Sequence, residues 1–140
     1  MAREPILALL KLRRLAVEEA RQGLAGCLAR EDAAERALAE SEAILHREML
    51  AAQSSASDGE VEAFAAWLPQ GRQAVRRAQE ARDSAAAETA LARAALTLAR
   101  SAAEAVDNLV EQRRLAEGAE ALKREQAVLD DIGQRKPADD

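Results

Sequence analysis

Apolar residues recur along this chain every three or four positions, over stretches far longer than a strand or an ordinary globular helix. In the first half the series runs Leu10, Val17, Leu24, Glu31, Leu38 and Leu45. Three residues after each of the first five stand Arg13, Ala20, Cys27, Ala34 and Ser41. This is a heptad seam with large residues at one position and mostly small ones at the other. The second half repeats the design, with Val75, Arg82, Thr89, Leu96, Ala103 and Val110 at one position. Ala78, Ala85, Ala92, Ala99 and Val106 take the other. Between the two halves, Gln53 to Gly59 concentrates serine, aspartate and glycine, whose side chains compete for backbone hydrogen bonds or, for glycine, tolerate positive φ. The chain reverses there. Ser57 with Glu60 three residues later forms a capping box ahead of Val61 and Phe64.

The pattern predicts an all-α fold: a long antiparallel two-helix coiled-coil hairpin forming one domain over 1–140. Its parts are a helix over 5–52, a tip over 53–59, a helix over 60–132 and a frayed tail over 133–140. Pro5 suits a first helical turn, where its missing N–H has no intrahelical partner. Gly23 and Gly26 each lower helix propensity by about 1 kcal/mol, but the seam passes them without changing phase. Pro69 and Gly71 interrupt the second helix near 69–71. A proline there removes a backbone bond and predicts a kink or short break near Pro69.

In an antiparallel pair, facing residue numbers have a constant sum. If that sum is about 116, Leu10 meets Val106, Leu24 meets Ala92, and Leu38 meets Ala78, so most rungs set a larger side chain against a small one. Such alternation lets two helices close to the short end of the usual interaxial range of about 8 to 10 Å. The same register brings Glu31 and Arg82 within reach of each other, Met49 beside Trp67, and Ala52 beside Phe64. Past Val110 the second helix outruns the first, and the apolar pattern is expected to continue through Leu115, Leu122, Leu129 and Ile132. That overhang of about 22 residues spans roughly 33 Å at 1.5 Å per residue.

Composition supports a rod. The chain has 140 residues, no tyrosine, one tryptophan and one phenylalanine, whereas a compact multilayer core of this size draws on more aromatic volume. A net charge of -5 opposes general nucleic-acid binding, which needs a basic face to displace counterions from phosphates. Cys27 is the one cysteine, which excludes an internal disulfide and fits a reducing compartment. Lys11, Arg13 and Arg14 cut the first apolar run short of a signal peptide. The most apolar later segment, Ala85 to Ala105, carries Glu88, Arg93, Arg100 and Glu104 and cannot span a bilayer. A cytoplasmic location without membrane insertion is the expectation.

No catalytic constellation emerges. His46 is the sole histidine, so a metal pair cannot form from histidines, and Cys27 reads as a small seam residue. Gly23 and Gly26 lack the lysine and the strand-to-helix context of a phosphate loop. Surface carboxylates read as solubility and neighbour pairing, as in Glu120 with Arg124 and Arg113 with Glu117. No cofactor or metal is expected. Three features suit binding instead. Phe64, Trp67 and Leu68 share one apolar face near the tip, though closing the tip is the favoured account of them. Lys11, Arg13 and Arg14 form a basic cluster. The overhang presents Leu122 and Leu129 with nothing in the chain to cover them, and an unsupported single helix keeps little stability in water.

Leu7, Leu10, Leu12, Arg13, Glu18, Ala20, Leu24 and Ala25 resemble the opening of the FliJ-like stalk proteins of flagellar type III export and of their YscO-like virulence counterparts. Leu109, Arg113, Arg114, Glu117, Lys123-Arg124-Glu125-Gln126 and Leu129-Asp130 are similar to that family's charged C-terminal helix. The resemblance implies a non-enzymatic coiled-coil stalk seated in a hexameric export ATPase, contacting the membrane export gate protein and handling export chaperones. It places the protein peripherally at the inner face of the membrane, through the export apparatus. Its contact surfaces map to the paired-terminus end near Arg13, Arg14, Arg113 and Arg124. Two other readings stand beside it: a holdase-type chaperone gripping clients at Phe64 and Trp67, and a plain scaffold that dimerises through the overhang.

Overall fold

The computed structural model of the chain describes residues 3–55 and 57–135, with side chains from Pro5 onward. Two helices account for nearly all of it: α1 over Arg3–Ser54 and α2 over Asp58–Arg135. They pack against each other as an all-α helical hairpin, and no strand occurs among the described residues. Each helix extends past its expected bounds. Of the expected tip, Ser55 and Ser57 are the described residues that remain outside the helices, and residues 133–135 of the expected tail belong to α2. The rest of that tail, 136–140, lies outside the described residues.

The turn is built from serines. Ser54 Oγ donates to the carbonyls of Leu50 at 2.9 Å and Ala51 at 3.3 Å, a back-bond onto the preceding turn at the end of α1. The Ser57 carbonyl accepts the first bond of α2, from the Val61 N–H at 3.4 Å, so Ser57 stands where the pattern puts the cap. The capping box itself is not closed. The Ser57 N–H goes to Ser55 Oγ at 3.1 Å rather than to the Glu60 carboxylate. Asp58 and Glu60 still favour the positive helix end, as Arg135 favours the negative one. No described residue has a positive φ, so Gly59 serves inside the first turn of α2 without using its conformational freedom.

Of the kink or short break expected near Pro69, the break is absent: α2 runs through Pro69 as one helix of 78 residues. Loss of a single backbone bond is tolerated in a helix propagated from both sides. Gly71 is no breaker either. It is buried, and an added Cβ there would lie 2.5, 2.7 and 3.0 Å from three atoms of the Trp67 ring. The glycine is a berth for the indole one turn back.

The chain divides into two compact units, Met1–Val17 with Ala99–Asp140, and Glu18–Leu98. In the first, Ile6 and Leu10 are buried and Ala99, Ala103, Val106 and Val110 half-buried. In the second, Leu38, Ala85, Thr89 and Leu96 are buried, and Leu24, Cys27, Ala34, Ser41, Leu45, Val75, Ala78 and Ala92 half-buried. These are the expected seam positions. Thr89 satisfies its hydroxyl by donating to the Ala85 carbonyl at 3.0 Å. Arg13 departs from the seam: it is exposed, its long side chain able to carry the charge out to water. Arg82 departs from its expected partner, since its Nε pairs with Asp83 Oδ1 at 2.8 Å instead of reaching Glu31. The adjacent partner spares both groups the desolvation that a pair across the seam would demand. Among the described residues, two ion pairs join the helices, Arg14 with Asp107 at 3.5 Å in the first unit and Arg30 with Glu88 at 3.8 Å in the second. Both join residues adjacent to seam positions, within about one turn of the expected register.

Candidate interaction surfaces

Within the first unit, α1 stops short and α2 goes on. Ile6 and Leu7 of α1 meet Val110, Arg113, Arg114 and Glu117 of α2 around a mostly apolar hollow. Of the basic residues expected to act at this end, Arg113 lines that hollow, whereas Arg13 is exposed elsewhere on α1 and Arg14 is taken up with Asp107. Arg114 also lines the hollow and pairs with Glu111 at 3.8 Å. Sequence reasoning did not assign Ile6, Leu7 and Val110 to a site. The usable signal was Val110 itself, the last apolar seam residue before the seam becomes charged.

That change of phase governs the overhang. Five residues separate Val110 from Leu115, which turns the helix by about 140°, so the leucines do not extend the seam. The positions that do extend it are Arg113, Glu117, Glu120, Arg124, Ala127, Asp131 and Gln134, all but one of them polar or charged. Leu115, Leu122 and Leu129, spaced by seven, occupy another face and are 65%, 67% and 59% exposed. Arg113 and Arg124 therefore share one face of α2, and Leu122 and Leu129 share another. Every described residue from Glu111 to Arg135 is exposed. Of the expected neighbour pairs here, Glu120 with Arg124 does not close. Gln126 instead donates to Asp130 at 3.3 Å, and Arg135 pairs with Asp131 at 3.3 Å.

Beside the turn, in the second unit, Glu48, Ala51 and Ala52 of α1 and Glu60, Ala63, Phe64 and Trp67 of α2 surround a second hollow. The Phe64 and Trp67 rings lie 6.2 Å apart, tilted by 37°, and both are half-buried. Ala52 and Phe64 share this hollow as expected, while Met49 stays 38% exposed.

Among the described residues no group of three or more His, Cys, Asp and Glu side chains is placed to hold a metal ion. His46 is exposed, and Cys27, half-buried, accepts from Arg30 Nη2 at 3.2 Å. No described helix is long and apolar enough to cross a membrane.

The fold is that of a two-helix coiled-coil protein that leaves much of both helices uncovered. The model of one family, the flagellar FliJ protein, matches residues 2–139, and the chain belongs to that family. Membership indicates a component of the flagellar export apparatus. No curated protein and no solved structure matches the chain.

Proposed function

We propose that this protein is a non-enzymatic stalk and adaptor of flagellar export. On this reading it links the hexameric export ATPase to the membrane export gate protein and to export chaperones, working peripherally at the cytoplasmic face of the membrane. Family membership supports the setting. The observation that carries the adaptor role is the helix past Val110, where Leu115, Leu122 and Leu129 are uncovered and every described residue is exposed. A lone helix of this kind has little stability of its own, so a partner that buries its leucines supplies the missing burial at roughly 25 cal/mol per Å² of apolar surface. A paired coil transmits orientation between a ring and a gate while the ring hydrolyses nucleotide. Arg13, Arg14, Arg113 and Arg124 serve the paired end, Leu122 and Leu129 the overhang, and Phe64 and Trp67 the turn.

Charge reversal of Arg13, Arg14, Arg113 and Arg124 is expected to weaken ATPase or gate binding in a pull-down without lowering helicity by circular dichroism. Unchanged binding removes the basic-end assignment. The hollow at Phe64 and Trp67 favours one second reading, a holdase. Replacing both residues by serine then abolishes protection of unfolded clients and leaves ATPase stimulation intact, whereas the stalk reading predicts the reverse pattern.

A further inference from the structure

We infer that the hollow beside the turn binds a basic, amphipathic segment of a partner protein. An aliphatic side chain of the segment rests on Phe64 and Trp67, and an arginine or lysine lies between those rings and the carboxylates of Glu48 and Glu60. The inference goes beyond the stalk role, and its test uses no export component.

Charge selects the occupant. Among the described residues lining the hollow only Glu48 and Glu60 are charged, and neither makes an ion pair with any described residue. Both are exposed, so a partner can approach them. Arg47 precedes Glu48 in the chain but does not line the hollow. Two uncommitted carboxylates beside two aromatic faces attract a cation twice over, by charge complementarity and by the ring quadrupole. They repel an acidic segment. The site is also largely made in advance. Trp67 is seated against the backbone at Gly71, where a Cβ would meet its ring at 2.5 to 3.0 Å, and the Phe64 ring lies 6.2 Å away. Side chains already held in place lose less freedom on binding. Ala51, Ala52 and Ala63 leave room for an aliphatic side chain beside the rings.

Trp67 is the chain's only tryptophan, so its emission reports on this hollow directly. The full chain is titrated with a synthetic helical peptide of about 15 residues that carries leucines and arginines one turn apart. Two control peptides replace the arginines by citrulline or by glutamate. The expected result is a saturating change in emission with the arginine peptide, an affinity that falls with added salt, and little response to the glutamate peptide. In the E48Q/E60Q double variant the affinity falls roughly tenfold. Both positions are exposed, and circular dichroism verifies that the variant keeps its helicity. Equal binding of the arginine and citrulline peptides, or undiminished affinity in the double variant, overturns the proposal in favour of apolar adhesion alone. Absence of any response overturns the site itself.

Discussion

A methyl group at Gly71 would sit 2.5 to 3.0 Å from the six-membered ring of Trp67, well inside the contact distance of about 3.5 to 4.0 Å between carbon atoms. Two effects therefore oppose each other in Gly71→Ala. Helix propensity gains about 1 kcal/mol, and overpacking against the indole costs about 1 to 3 kcal/mol. The ring is the softer party, so the variant is expected to displace Trp67, shift its emission, and gain none of the stability that propensity alone promises. In a Trp67→Ala background the obstacle is gone, and the same substitution then stabilises by about 1 kcal/mol. Thermal unfolding of the four proteins in this cycle measures the coupling. Equal stabilisation in both backgrounds would show that the indole does not depend on the glycine. Sequence alone ranks Gly71 as a breaker, since a contact between residues four apart on one helix is invisible until the rotamer of Trp67 is known. Arg82 is a similar case: its seam position was legible, but its choice of Asp83 over Glu31 depends on side-chain reach.

At the scale of the helix, continuity through Pro69 has a consequence of its own. The proline withholds one N–H from a ladder that is otherwise regular on both sides, and Pro69 is exposed. Pro69→Ala restores that bond and removes the ring's clash, so it is expected to raise the unfolding midpoint, with a limit near 3 kcal/mol. A lower midpoint would mean that α2 needs the proline's geometry. The helices and their seam were readable because a heptad pattern is repetitive, and each rung confirms its neighbours. Their ends were less so: fraying and capping turn on single bonds, such as Ser57 N–H to Ser55 Oγ. The overhang was legible as apolar, yet its face was not. Spacing by seven looks the same on any side of a helix, and only the five-residue step from Val110 to Leu115 shows that the leucines leave the seam. For that reason Leu122→Ser with Leu129→Ser is expected to change the unfolding midpoint by no more than a surface pair of substitutions does, within about 0.5 kcal/mol each apart from propensity. The same double variant is expected to lose co-purification with the export ATPase.

For the molecule as a whole, the seam is thin. No described side chain is fully buried, and the core amounts to Ile6, Leu10, Leu38, Ala85 and Leu96 with Thr89. Stability then rests on many half-buried rungs, while surface ion pairs such as Arg14 with Asp107, both well over half exposed, add about 0 to 1 kcal/mol each. A truncation after Gly118 separates folding from binding. It keeps every described rung and the hollow formed by Ile6, Leu7, Val110, Arg113, Arg114 and Glu117, and the described residues that it removes, 119–135, are all exposed. The truncated chain is expected to unfold at nearly the midpoint of the full chain, because none of the described residues it loses is buried. Its helical signal falls in proportion to the residues removed, and binding to the export ATPase is lost. A large fall in midpoint would instead show that the segment folds back onto the paired helices in solution. Retained ATPase binding at an unchanged midpoint would move the partner surface off the leucines and onto the basic hollow at Arg113 and Arg114.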